Sequence, residues 1–285
     1  MLGAIAGDTI GSVYEFNNHR GTDFPLFVPN STFTDDSVVS VATAHLLLYA
    51  RPHQMVHPSK YAHRYKTWGL RYRDAGYGGM FKSWLSDKDS KPYDSFGNGS
   101  AMRVAPVGWA YETLPEVLAE ASHSAEVTHN HPEGIKGAEV TAAAVFAART
   151  GASREEIREL VGKLSDYDLN RSVDEIRKVY KFNETCQETV PEAIIAFLES
   201  TDFEDAIRKA VSMGGDSDTL ACITGGIAEA FYGGVPDSIA ATVLDRLDSR
   251  LRDIVRKFDR QFMGGRYQKH WNLSSKFRRL KRILG

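Results

Sequence analysis

The chain holds only two cysteines, Cys186 and Cys222, in 285 residues. Two cysteines build no disulfide framework and no Cys-x-x-Cys metal site, and they fit a reducing compartment. No apolar run approaches the roughly 18 residues that a membrane-spanning helix needs. The stretch Met1 to Ile10 is apolar but lacks a basic segment and carries Asp8, so it does not read as a signal peptide. An excess of one charge is missing too. The net charge is −2, which argues against a general nucleic-acid binder. Strand-like alternation of apolar and polar residues is nearly absent, and no repeat or low-complexity linker breaks the chain. These absences lead us to expect a cytoplasmic protein without membrane contact, with a monomer favoured.

Helical periodicity is what the sequence has in quantity. Hydrophobic residues make up 42% of the chain, enough for a sizeable core. Apolar residues at helical spacing recur from end to end, which predicts one all-α domain over residues 1–258. Gly3, Gly7 and Gly11 stand four apart, the stripe that lets two helices approach closely. A phosphate-binding loop is the rival reading, but the Lys and Ser/Thr of a P-loop are missing. Thr113 with Pro115, and Ser153 with Glu156, mark helix starts. Thr189-Val-Pro-Glu predicts another start, and Thr201 or Asp202 a further cap. From Arg260 onward there are eight Lys or Arg and no acid. We read 259–285 as a basic segment with Phe277, Leu280, Ile283 and Leu284 on one helix face. Docking on the body is the plain reading, and contact with an acidic partner or nucleic acid the sharper one.

Two acid clusters carry the chemistry. Gly214-Gly-Asp-Ser-Asp-Thr219 places Asp216, Asp218 and Thr219 at the start of an apolar helical run. Thr34-Asp-Asp-Ser37 does the same roughly 180 residues upstream. A capped helix explains either cluster alone. Together they offer four carboxylates and two hydroxyls, an all-oxygen set suited to Mg²⁺ or Mn²⁺. If the clusters converge, two cations would offset the repulsion and form a two-metal site. Gly97-Asn98-Gly99-Ser100 with Arg103 reads as an anion cradle or an ordinary turn. His129, beside His131, lies two residues away on the wrong spacing for a zinc pair, so a hydrogen bond to ligand or protein fits better. Asp74, in a glycine-rich loop, is either a turn former or a catalytic carboxylate. Glu15 follows the glycine stripe and is either a solvated acid or a site residue.

These motifs, in this order, resemble those of the ADP-ribosylglycohydrolases, the branch related to the dinitrogenase-reductase-activating glycohydrolase. The likeness runs from residue 3 to about 245. It implies an all-α fold with a binuclear Mg²⁺ or Mn²⁺ centre. By that likeness Thr34, Asp35, Asp36 and Asp218 hold one ion, and Asp216, Asp218 and Thr219 the other. Residues Gly97 to Arg103 cradle a diphosphate, His129 touches the distal ribose or phosphate, and Glu15 contacts metal or gates the site. Asp35, Glu15 or Asp74 would handle the proton. The implied activity is cleavage of the glycosidic bond between ADP-ribose and a protein side chain or small molecule. A crystallin-like ADP-ribose binder and a two-metal phosphohydrolase are the alternatives.

Overall fold

The structure is a computed structural model describing residues 1–50 and 54–271. Among the described residues there are fifteen helices and no strand. In chain order they are α1 (Leu2–Gly11), α2 (Asp35–Leu47), α3 (Pro58–Arg71), α4 (Gly79–Ser86), α5 (Gly99–Met102), α6 (Ala105–Ala110), α7 (Leu114–Glu126), α8 (Pro132–Arg149), α9 (Arg154–Leu164), α10 (Val173–Val179), α11 (Cys186–Leu198), α12 (Phe203–Ser212), α13 (Ser217–Phe231), α14 (Asp237–Arg246) and α15 (Ser249–Phe262).

The centre is the pair α1 and α13. Every residue of α1 is buried, and every residue of α13 except its last. The glycine stripe explains the contact. A Cβ on Gly3 would sit 2.2 Å from the Gly225 carbonyl oxygen, and one on Gly7 1.9 Å from that of Ala221. One on Gly11 would lie 2.5 Å from the Asp218 Cα. The two backbones therefore touch, as small-residue stripes permit. Rising numbers on α1 meet falling numbers on α13, so the helices are antiparallel. That direction brings the end of α1 to the start of α13, where the second acid cluster lies. Helices α8, α11 and α12 pack around α13, and α2 packs against α1.

Helix starts follow the local chemistry. Thr113 and Ser153 both form complete capping boxes, and Asp202 caps α12. The expected start at Thr189 is corrected: α11 begins at Cys186 and carries Pro191 in its interior. Proline's preference for the first turn suggests the later start. The chain instead enters α11 through an isolated antiparallel bridge between Gly97 and Thr185. Helices α4, α5, α6 and α10 have no counterpart in the sequence reading. All are eight residues or shorter, too brief for a periodic signal.

Helix α15 runs straight through the 258/259 division, so no boundary falls there. Apolar positions continue beyond it, and Phe258, Met263, Tyr267 and Trp271 are all buried. The Tyr267 hydroxyl donates to Glu229 Oε1 at 2.6 Å, and Trp271 Nε1 donates to Asp259 Oδ2 at 3.0 Å. The helix face expected from Phe277 to Leu284 lies outside the described residues.

Candidate active site

Three helix ends meet at one cavity of about 300 Å³. The start of α2 brings Thr34, Asp35 and Asp36, and the start of α13 brings Asp216, Asp218 and Thr219. The chain leaving α1 brings Glu15. Both acid clusters sit in or beside a first helical turn, where the helix dipole favours negative charge. Neither Thr34 nor Asp216 makes a side-chain cap hydrogen bond, so capping does not consume these oxygens. Gly214 and Gly215 both take positive φ, +71° and +70°, which only glycine adopts readily. A Cβ on Gly215 would also strike the Tyr180 ring at 2.6 Å.

The carboxylates form two close groups. Oxygens of Glu15, Asp216 and Asp218 lie within 4.8 Å of one another, and so do those of Asp8, Asp36 and Asp218. Burial and repulsion by neighbouring carboxylates raise the proton affinity of Glu15, Asp35, Asp36 and Asp218. Burial, then Asp216, Glu184 and Asp8, push Glu15 up to about 7. Burial, then Asp8 and Asp216, push Asp35 up to about 8. Asp36 and Asp218 are pushed well above the usual carboxylate range, chiefly by burial. Asp36 Oδ1 is buried with no hydrogen-bond partner among the described residues. A buried orphan oxygen amid repelling carboxylates fits a divalent cation, whose oxygen ligands these are. Asp35 lines the cavity but joins neither close group; it lies beneath Gly76, whose Cβ position would be 3.2 Å from Asp35 Oδ1.

Asp8 is the residue the sequence reading missed. It accepts from the Thr34 N–H at 2.9 Å, the Thr34 hydroxyl at 2.7 Å and the Ser37 N–H at 3.1 Å. The Ser37 hydroxyl donates to it as well. Four donors leave its oxygens little capacity for an ion. Asp8 therefore holds the Thr34–Ser37 turn, and the Thr34 hydroxyl, having spent its proton on Asp8, turns a lone pair outward. The signal was a lone acid inside an otherwise apolar helix. Asp8→Asn would point an amide at these donors. We expect a 10–100-fold loss in kcat/KM with a matching loss of metal affinity, measured by steady-state turnover against a metal titration.

Asn18 was also missed, because it sits in a loop without periodicity. Its amide donates to the carbonyls of Glu15 at 2.7 Å and Gly215 at 3.1 Å and accepts from the Gly215 N–H at 2.9 Å. It ties the Glu15 loop to the Asp216 turn.

A cation lines the same cavity. Arg103 is 1% exposed. Its guanidinium meets neutral groups: the Ser124 carbonyl and the Thr128 hydroxyl, each at 2.8 Å, and the Tyr65 ring face. Its Nε has no partner among the described residues. The Thr128 hydroxyl lies 2.8 Å from His129 Nδ1. The same hydroxyl accepts from Arg103 and so links the guanidinium to the imidazole. Burial and Arg103 hold this ring neutral. Gly97, Asn98 and Gly99 also line the cavity. The Asn98 amide donates to Asp216 Oδ2 at 2.7 Å, so it positions that carboxylate.

Two expected site residues are not brought to the cavity. Ser100 is fully buried and its hydroxyl donates to the Gly134 carbonyl at 2.6 Å, away from the lining. Asp74 is exposed and outside the lining, in the turn that follows α3.

Relatives are found both by sequence and by fold. The human ADP-ribosylhydrolase ARH3 is 28% identical, over 84% of this chain and 86% of its own length. The ADP-ribosylarginine hydrolase Tri1 of Pseudomonas putida (strain GB-1) is 25% identical, over 82% and 69%. A solved structure described as an ADP-ribosylglycohydrolase-related protein complex superposes with a TM-score of 0.65. It is 25% identical and covers 91% of this chain and 96% of its own. The ADP-ribosylglycohydrolase family profile matches residues 1–268. The chain belongs to the ADP-ribosylglycohydrolase family.

Proposed function

We propose that the protein is a metal-dependent hydrolase that frees ADP-ribose from an acceptor by cleaving the bond at C1 of the distal ribose. The observation that carries this reading is a cavity lined both by a carboxylate cluster and by a buried guanidinium that, among the described residues, hydrogen-bonds to neutral groups. That polarity matches a substrate with a diphosphate at one end and a ribose diol at the other.

Thr34, Asp35, Asp36, Asp216, Asp218 and Thr219 would hold two Mg²⁺ or Mn²⁺ ions. Bound there, the ions would offset the carboxylate repulsion, orient the ribose hydroxyls and lower the pKa of water. The chain's own groups do the rest. Arg103 and His129, both in the lining, would meet the diphosphate and ribose oxygens. The backbone of Gly97 to Gly99 allows close approach. Water adds to C1 as the bond to the acceptor breaks, through an oxocarbenium-like state. One proton leaves the water and one reaches the departing acceptor atom. Glu15, half-buried in the lining and hydrogen-bonded to Asp218, is our first candidate for that transfer, and Asp35, also in the lining, is the second.

Mass spectrometry on ADP-ribose linked through Arg, Ser and DNA tests the reading. Free ADP-ribose released with Mg²⁺ or Mn²⁺, and not with EDTA, is the expected result. Intact substrate throughout, with metal loading confirmed, would overturn it.

A pH prediction follows from the raised carboxylates. Their folded-state affinity for protons exceeds the unfolded one, so the protonated cluster stabilises the metal-free fold. That contribution is complete below the unfolded pKa near 4 and is lost as pH rises through about 6 for Asp8, 7 for Glu15 and 8 for Asp35. A bound cation replaces those protons. The melting-temperature gap between Mg²⁺-loaded and EDTA-treated protein should therefore widen from pH 5 to pH 8, as read by scanning calorimetry; a constant gap would contradict it.

A further inference from the structure

Exposed large apolar side chains gather around the mouth of this cavity. Phe16 is 84% exposed, next to Glu15, and lines the cavity. Phe182 is 45% exposed and stands two residues before Glu184, another lining residue. Their rings stack with centroids 6.0 Å apart and planes 20° from parallel. Met80, 57% exposed, lines the same opening. Aromatic rings left in water around one opening mark a recognition surface.

The occupant follows from the polarity of the cavity, and the argument rests on the hydrolase reading above. On that reading the ribose diol lies at the carboxylates, so the acceptor leaves the cavity beside Glu15, where Phe16 and Phe182 stand. Glu15 and Glu184 both line this opening, together with Asp216 and Asp218, so acids crowd it. A phosphate backbone crossing that rim would be repelled. A polypeptide would not, and its apolar side chains would cover the rings. We propose that Phe16 and Phe182 form a docking platform for the polypeptide segment that carries the ADP-ribosyl group. The acceptor is then a residue within a protein chain, and residues flanking it contribute to recognition.

The test compares wild type with Phe182→Ala, Phe182→Trp and Phe16→Ala on three substrates. These are a short synthetic ADP-ribosylated peptide with a leucine beside the modified residue, the same ADP-ribose linkage on the free amino acid, and an ADP-ribosylated oligonucleotide. Phe182→Ala should lower the ratio of kcat/KM for peptide over free conjugate about tenfold, through KM with kcat retained. Phe182→Trp should restore the ratio, and Phe16→Ala should lower it as well. An equal change on peptide and free conjugate would overturn the platform, because it would report a structural effect. The same Phe182 dependence on the oligonucleotide would overturn the choice of a polypeptide. Self-association of wild type that Phe182→Ala abolishes, seen by light scattering, would assign the rings to a second copy of the chain. Should wild type cleave none of the three, the hydrolase reading fails by itself. The platform then stands or falls on peptide affinity, measured by calorimetry in EDTA, which Phe182→Ala should weaken about tenfold and which an unchanged value would refute.

Discussion

Asp218→Asn is expected to lower kcat/KM on the order of 10³-fold, about 4 kcal/mol of transition-state stabilisation, and at the same time to raise the melting temperature of the metal-free protein. The two effects share one cause. Asp218 belongs to both close carboxylate groups, so its loss removes a shared ligand from each proposed ion. Without metal the same carboxylate is a burden. It is 4% exposed, and burial, then the charges of Asp216, Asp36 and Glu15, drive its proton affinity up. Neutralising it relieves desolvation and repulsion together. Each kcal/mol so relieved should appear as roughly 2–4 °C. The contrast with Asp8 is informative. Asp8 is equally buried but receives four hydrogen bonds, so Asp8→Asn should destabilise the turn where Asp218→Asn stabilises the fold. Turnover of ADP-ribosylated peptide with Mg²⁺, and calorimetry in EDTA, would read both halves. Retained turnover would remove Asp218 from the centre of the mechanism. An unchanged or lower melting temperature in EDTA would show the repulsion to be relieved some other way.

Gly7→Ala should be among the most damaging single methyl additions in the chain. The new Cβ would lie 1.9 Å from the Ala221 carbonyl oxygen, 2.2 Å from its carbon and 2.7 Å from the Cys222 nitrogen. All three are backbone atoms of α13, and no side chain can swing aside. Helix α1 would have to move off by more than an ångström, along with Asp8 and the Glu15 loop. We expect about 4 kcal/mol or more of destabilisation, a fall of roughly 10 °C in melting temperature, and activity lost even in the fraction that folds. Gly162→Ala is the control. Gly162 sits within α9 with nothing within 4 Å of the added carbon, so the change should stabilise by about 0.5–1 kcal/mol. Thermal melts of the two variants beside wild type decide the matter; equal melting temperatures would mean that the α1–α13 contact is not the keystone of the fold.

The residues that could be read from sequence were those whose chemistry is local. A capping box needs only four residues, and Thr113 and Ser153 each formed one. Either acid cluster alone reads as a helix cap, and it was the recurrence of the same residues in two places that pointed to a cation. Ser100 misled because a serine in a glycine turn presents the same sequence whether its hydroxyl faces a ligand or, as here, the Gly134 carbonyl. Asp8 was passed over for the opposite reason: its four donors come from a segment 26 to 29 positions away, and no spacing rule reaches that far.

By itself, the sequence determined the all-helical class, the close-packing stripe on α1 and the two acid clusters, because periodicity, small-residue spacing and cap chemistry act within a few turns of chain. Only the tertiary structure decided that the clusters meet. The antiparallel contact of α1 with α13 carries Glu15 to Asp216 and Asp218, Asp8 fastens the α2 turn across the gap, and Arg103 is buried against neutral partners in the same lining. Those placements rest on backbone contact between segments some 200 residues apart, so they exist only once the core has packed.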